Sequence, residues 1–472
     1  MFSFLFFLTN DPYISRFRTA IRFLLFLTIG LSAVQPASAQ NRSIATSRRF
    51  LDSLQRDTFR YFWELGDNPH GLLPDRHPTP SFASIAATGF GLTAYLIGVE
   101  RGYVTRAQAA ERVVRTLRFF ARAPQSADPV QSTGFRGFFY HFLDMKTGLR
   151  YRQVELSTID TALLLAGMLS CQSYFRENST TEKEIRSLTD QIYRRVEWKW
   201  MQVRSPYLAM GWHPEKGAID SDWKGYNEAM ILYVLALASP TNPIGAEAWS
   251  WWTSTYEWKD FQNMTHVNFD PLFGHQYSHI WIDFRGIQDE YMRRKGIDYF
   301  ENSRRATLAN RAYCIENPKK FLDYGPDIWG LTACDGPKDT VIDGRAFFSY
   351  RARGAAATGI VDDGTIAPTA AGGSMPFAPE ECISALRAMK TRYGSRIYGE
   401  YGFRDAFNPS YPKGSGTDET GWFDIDYLGI DSGPILLMTE NYRTNLIWNL
   451  MMRNPTLRKG LLRAGFRGGW LK

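Results

Sequence analysis

Three acidic side chains stand in places where an acid does little for folding. Glu228 lies in Trp223-Lys224-Gly225-Tyr226-Asn227-Glu228, just ahead of the wholly apolar run 229–238 (AMILYVLALA). Glu155 and Asp160 flank Ser157 in Glu155-Leu156-Ser157-Thr158-Ile159-Asp160, ahead of the apolar run 162–169. Carboxyl groups at the ends of buried helices lose water, and desolvation raises the pKa of an acid. A proton-donating carboxyl opposite an ionised one is what acetal cleavage between sugars requires: one protonates the leaving oxygen, the other attacks or activates water. Each acid also has a plain structural role to set against this. Glu228 would favour a helix dipole, and Ser157-x-x-Asp160 fits a helix cap. A third acidic group, Asp424, Asp426 and Asp431, precedes the final apolar helix; Asp431-Ser432-Gly433-Pro434 reads as a helix start with Asp431 as cap. Glu440 follows inside that helix, with Arg443 as its expected partner.

Aromatic residues crowd the same stretches. Trp212, His213, Trp223, Tyr226, His275, Trp281 and Trp422 lie in or beside the loops that hold the acids, in a chain with 14 Trp and 15% aromatic residues. Flat rings suit the CH faces of sugars, so these residues and Asp431 are the candidate substrate contacts; core packing is the competing role for each ring.

Other chemistries lack their signatures. His275 and His279 have i, i+4 spacing, but no H-E-x-x-H exists among seven His, so no metal is assigned. There is no G-x-S-x-G elbow, no Walker A sequence and no dinucleotide glycine fingerprint, and no cofactor is expected. The formal charge of +7 is scattered, with no basic stripe for nucleic acid. Cys171, Cys314, Cys334 and Cys382 form no C-x-x-C, and buried free thiols are expected at least for Cys171 and Cys382.

The elements that position the acids read as helices of two kinds. Those over 105–120 and 182–198 are amphipathic, each with a capping box (Thr105/Gln108 and Thr181/Glu184). Those over 81–100, 157–175 and 225–238 have almost no polar face and must be surrounded by protein. Helices are further expected over 246–258, 277–295, 300–316, 379–393 and 434–452. Alternation of buried and half-wet helices predicts an all-α chain with an inner ring inside an outer ring, an α/α barrel; an open solenoid is disfavoured because no fixed repeat occurs. Long loops at 68–80, 124–155, 200–225, 267–275, 334–378 and 394–433 mostly lead into the buried helices and should gather at one mouth.

Arg16, Arg18 and Arg22 precede the apolar stretch 23–34, and Ala37-Ser38-Ala39 fits a cleavage site. This predicts a signal peptide over 1–39, a mature periplasmic or secreted protein starting at Gln40, and no stable membrane insertion after cleavage.

The segments 51–63, Gly71-Leu72-Leu73-Pro74-Asp75-Arg76, 84–91, Gly137-Phe138-Phe139-Tyr140-His141-Phe142, 157–163, Tyr226-Asn227-Glu228-Ala229-Met230, 273–279 and Asp431-Ser432-Gly433-Pro434 with Glu440-Asn441-Tyr442-Arg443 together resemble the bacterial glucoamylase-like domain. The resemblance runs in order along nearly all of 40–472 and implies a single domain with an (α/α)6 barrel. It implies an inverting glycoside hydrolase of β-1,2-glucan acting on an oligo- or polysaccharide, with transglycosylation as a related activity. Glu228 carries over as general acid. Members acting on β-1,2-glucan carry two Asp before the second buried helix, where this sequence has Glu155 and Asp160, so the base is one of that pair. Two alternatives stay open: a polysaccharide lyase using Tyr226, Asn227, His213 or Arg285, and a glycan-binding protein without catalysis.

Overall fold

The computed structural model of the chain describes residues 37–413 and 421–472, with side chains from residue 47 onward. Of the signal peptide expected over 1–39, residues 1–36 lie outside the described residues and 37–39 open the first helix. The chain has two compact units, Met1–Phe50 and Leu51–Lys472. The helices are α1 Ala37–Leu65, α2 Ile85–Glu100, α3 Arg106–Arg122, α4 Thr158–Tyr174, α5 Thr180–Arg194, α6 Met230–Ala238, α7 Glu247–Ser254, α8 Tyr277–Trp281, α9 Glu290–Lys295, α10 Tyr299–Glu316, α11 Pro368–Gly372, α12 Pro379–Tyr393, α13 Gly429–Thr444, α14 Leu446–Met451 and α15 Pro455–Arg463.

The two expected kinds of helix are present. In α2 every residue from Ile85 to Gly98 is buried, in α4 every residue from Thr158 to Cys171, and α6, α8 and α11 are buried throughout. These helices pack on one another: α2 on α4 and α13, α4 on α6, and α13 on α8 and α11. Hydrogen bonds link the remaining neighbours. Ser278 of α8 joins the start of α6, donating to the Glu228 carbonyl (2.7 Å) and accepting from Ile231 N–H (3.0 Å). Gln276 donates to the Ala370 carbonyl of α11 (2.9 Å). The amphipathic α3 and α5 lie outside, packed on each other and on α2 and α4. No described helix is long and apolar enough to cross a membrane.

The caps explain several boundaries. Thr105 and Gln108 form the expected reciprocal box at α3. At α5 the cap is Ser179, accepting from Glu182 N–H, and not Thr181: the helix starts two residues earlier than its apolar stripe indicates. The element expected over 225–238 begins only at Met230, because Asn227 turns back on the backbone through Ala229 N–H (3.0 Å) and the Lys224 carbonyl (3.1 Å). Glu228 therefore precedes the helix. The element expected over 277–295 is two short helices, α8 and α9. The last one starts at Gly429 and carries Pro434 inside it, so Asp431 sits in the first turn and is not the cap. Glu440 pairs with Arg101 (2.8 Å) and Gln55 (2.8 Å), while Arg443 turns to Gln55 and Asp52. All four Cys are buried free thiols.

Strands are short. The largest sheet is antiparallel, in the order Gly134–Phe135, Phe138–Tyr140, Leu156–Ser157, Gly211–His213, Gly217–Ala218, and it leads directly into α4.

The α2–α4 contact is backbone to backbone. A Cβ on Gly167 would lie 2.1 Å from the Gly89 carbonyl oxygen, and one on Gly89 would lie 2.5 Å from the Leu163 carbonyl oxygen. Neither carbonyl can move without breaking its helix. Gly167→Val is therefore expected to cost at least the ~1–3 kcal/mol typical of overpacking. Urea unfolding checks this; stability equal to wild type would remove the close contact as a constraint.

Candidate active site

A cavity of about 480 Å³ opens where the buried helices begin. Ser84 before α2, Asp160 in the first turn of α4, Glu228 before α6, Tyr277 at the start of α8 and Ile430 at the start of α13 all line it. A surface groove of about 530 Å³ beside α3 is slightly larger, but it offers one acid, Glu111, among Arg115, Arg118 and Arg122. Converging carboxyls, not volume, single out the first.

Glu228 is held by its own backbone, through Ser278, and points its carboxyl into the cavity wall. It is 9% exposed, and its Oε2 accepts no hydrogen bond among the described residues. Burial pushes its pKa up to about 7, a backbone hydrogen bond opposes this, and the negative charge of Asp160 adds to it. At neutral pH a large share of Glu228 carries a proton.

Asp160 has the opposite surroundings. The Ser157 hydroxyl donates a short bond to its Oδ2, and the Ser157 oxygen in turn caps Asp160 N–H (3.1 Å). Its Oδ1 lies 3.5 Å from His141 Nε2, while His141 Nδ1 lies 2.8 Å from Glu155 Oε1. His141 thus bridges the two acids. Burial alone would lower the imidazole pKa; the charge of Asp160, the hydrogen bond from Glu155 and the charges of Glu155 and Asp75 prevail and raise it to about 9. For Glu155 burial acts upward, but the His141 contact holds it below the usual carboxylate range. Glu155 does not line the cavity.

A second acidic wall surrounds Arg76. Its guanidinium reaches Asp335 (2.5 Å), Asp75 (3.2 Å) and Asp426 (3.8 Å). Asp405, Asp424 and Asp431 lie beside these, and burial pushes all three up. Phe82, Phe142, Phe273 and Tyr277 give the cavity its apolar faces, and Tyr350, half exposed, completes them.

Residues 220–455 match the Glycoamylase family, whose description reads "Putative glucoamylase". A crystal structure carrying the same description, from Bacteroides uniformis ATCC 8492, is 34% identical, with 90% of this chain and 99% of that chain covered and a TM-score of 0.78. The chain belongs to the Glycoamylase family. The endo-β-1,2-glucanase from Chitinophaga pinensis, solved with sophorotriose and glucose, is 31% identical over 90% of this chain and 99% of that chain, with a TM-score of 0.77. A curated relative from Parabacteroides distasonis, "Exo beta-1,2-glucooligosaccharide sophorohydrolase (non-reducing end)", is 32% identical over 88% of this chain. This chain spans 58% of that protein's length.

Of the residues picked from the sequence, this Glycoamylase member brings Glu228 and Asp160 into one cavity, with Glu155 behind His141 and Asp431 in the acidic wall. The predicted aromatic contacts fall elsewhere. Trp281 stacks on Phe90 (5.4 Å) and donates to Thr93 (3.1 Å) in the core. Tyr226 and His275 pack against each other (4.7 Å), and burial holds the His275 pKa well down. His279 contacts Ser303 (3.0 Å). Trp223 donates to Thr158 (2.9 Å) and props the start of α4; Trp212 packs on Phe135 and Trp200; Trp422 lies in a strand beside Asn408. His213, half-buried, pairs with Gly217 of the adjoining strand. None of the seven predicted rings, nor His279, lines the cavity. The sequence reading passed over Asp75, Arg76 and His141 as site residues, although all three stand in the quoted family segments.

The His141 bridge sets a pH dependence. An imidazole with a raised folded-state pKa contributes stability that is complete below about 6.5 and is lost as pH rises through about 9. The Tm gap between wild type and His141→Gln is expected to be widest near pH 6 and to close by about pH 9.5. A gap independent of pH would mean that His141 is neutral in the fold.

Proposed function

We propose that the chain is an exported, inverting glycoside hydrolase that cleaves β-1,2-glucan, with Glu228 as general acid and Asp160 as general base. The observation that carries the reading is Glu228: a carboxyl without a hydrogen-bond partner at Oε2, half protonated near neutral pH, in the same cavity as an acid held by Ser157 and His141. The family relatives named for β-1,2-glucan and β-1,2-glucooligosaccharides supply the substrate.

In this mechanism Glu228 gives its proton to the glycosidic oxygen as the bond from that oxygen to the anomeric carbon breaks. Asp160 takes a proton from a water that attacks the carbon from the opposite face. An inverting pair stands about 6.5–9.5 Å apart to leave room for that water. Phe82, Phe142, Phe273, Tyr277 and Tyr350 offer stacking faces to the sugar rings, and Asp75 and Arg76 offer hydrogen bonds to hydroxyls. The packing of α2, α4, α6, α8, α11 and α13 on one another, with amphipathic partners outside, supports an (α/α)6 barrel. Residues 40–472 would form the single catalytic domain, with 1–39 its signal peptide.

Incubation with β-1,2-glucan is expected to release β-1,2-linked oligosaccharides whose new reducing end is first seen as the α-anomer by proton NMR. The rate should fall as pH rises past about 7, because the acid must be protonated. Glu228→Gln should lower kcat by ~10² or more with little change in Tm. Near-normal turnover by Glu228→Gln, release of the β-anomer, or an unsaturated product absorbing in the ultraviolet would each overturn the reading.

A further inference from the structure

Asp335, Asp405 and Asp424 come from three separate loops, yet one carboxylate oxygen from each lies within 4.8 Å of the other two. The backbone builds this convergence. Asp405 N–H donates to the Asp426 carbonyl (2.9 Å), and Asp424 N–H to the Ala406 carbonyl (3.0 Å), which ties the two loops side by side. Asp335 N–H donates to Asp405 Oδ2 (2.7 Å) and brings in the third. Asp424 Oδ1 accepts from Asp426 N–H (3.1 Å). One oxygen of Asp405 and one of Asp424 are thereby committed to holding the loops, and Asp335 Oδ2 is committed to Arg76 (2.5 Å). The others, Asp405 Oδ1 and Asp424 Oδ2, accept no hydrogen bond among the described residues, on side chains only 2% and 6% exposed.

Carboxylate oxygens bare of donors and shielded from water are costly to keep. The nearby cations do not reach them. Arg76 spends its contacts on Asp75, Asp335 and Asp426, and Arg404 donates to the main-chain carbonyl of Asp424 (3.3 Å). Asp426 and Asp431 stand alongside, and Asp431 shares a hydrogen bond with the Asp405 carboxyl. An all-carboxylate set drawn from ordered loops is what a hard divalent cation prefers; Ca²⁺ takes oxygen ligands at about 2.3–2.6 Å, which matches three oxygens spaced as these are.

We propose that Asp335, Asp405 and Asp424 form a binding site for a hard divalent cation, Ca²⁺ in the first place, which clamps the loops carrying residues 335, 405 and 424 beside Arg76. The two histidines considered for a metal from the sequence take no part. The site stands apart from the glycosidase reading, since binding is measured without substrate.

The test uses the whole mature chain, freed of metal with EDTA at pH 7.5 and titrated with Ca²⁺ alone by calorimetry. One equivalent is expected to bind, with Tm rising by about 3–5 °C at a hundredfold excess over Kd. Tb³⁺ should give luminescence sensitised by excitation of tryptophan and displaced by Ca²⁺. Asp424→Asn should weaken Ca²⁺ binding at least tenfold. Asp335→Asn, at the more exposed of the three positions, should do so too and covers the case in which Asp424→Asn does not fold. The proposal is overturned if wild type shows neither heat nor a Tm change with Ca²⁺ or Mg²⁺, or if folded Asp335→Asn and Asp424→Asn bind as tightly as wild type.

Discussion

The site depends on helices that have no polar side. No residue of α2 from Ile85 to Gly98, of α4 from Thr158 to Cys171 or of α6 faces water, so the exposed polar groups of these elements sit at their ends, and their N-terminal ends open on one cavity. The α2–α4 contact fixes two of those ends relative to each other, because Gly89 and Gly167 let the backbones touch where any side chain would hold them apart. A cavity assembled this way has apolar walls and a rim at the helix starts, where Asp160 stands in the first turn of α4 and Glu228 just ahead of α6.

Two opposing effects act on Glu228, and their sizes decide its state. A helix N-terminus stabilises a nearby carboxylate by roughly 0.3–1 kcal/mol. The rise from 4.5 to about 7 corresponds to about 3 kcal/mol against the charged form. Burial wins, the more so because α6 starts at Met230 and leaves Glu228 outside the first turn. Asp160 meets the same cavity with a hydroxyl and an imidazolium beside it. Two acids in one cavity, one with an oxygen bare of donors and one bonded to a hydroxyl and facing an imidazole, have the unlike surroundings that an acid–base division of labour needs.

The sequence made the helices legible because each kind leaves a continuous signature over ten or more residues. The absence of charge from 82 to 99 could be read only as burial, and the Thr105/Gln108 box stands in the structure as written. The acids were legible for a related reason: a carboxyl beside an apolar helix is a local anomaly. What could not be read was convergence. Asp335, Asp405 and Asp424 span 90 residues and meet through loop hydrogen bonds that leave no periodic trace. The tryptophans misled for the complementary reason. A ring beside a loop looks the same in sequence whether it faces a cleft or, like Trp281 on Phe90, the core behind it. The cavity instead takes its rings from other segments, among them Phe142 in 124–155, Phe273 in 267–275 and Tyr350 in 334–378.

Glu155 and Asp160 were equivalent candidates in the sequence, and geometry separates them by route. Glu155 reaches the cavity only through His141. Its carboxylate keeps the imidazole charged, and the imidazolium faces Asp160. Removing that negative charge would lower the His141 pKa. Under the proposed mechanism Glu155 would be a positioning residue, acting on Asp160 through His141 from outside the cavity lining. The departure from two Asp before the second buried helix then has a physical reading. The longer Glu155 side chain starts in the strand-side loop and spans the distance to Nδ1, leaving Nε2 for the acid that lines the cavity. One cation is shared between an acid that holds it and an acid that uses it.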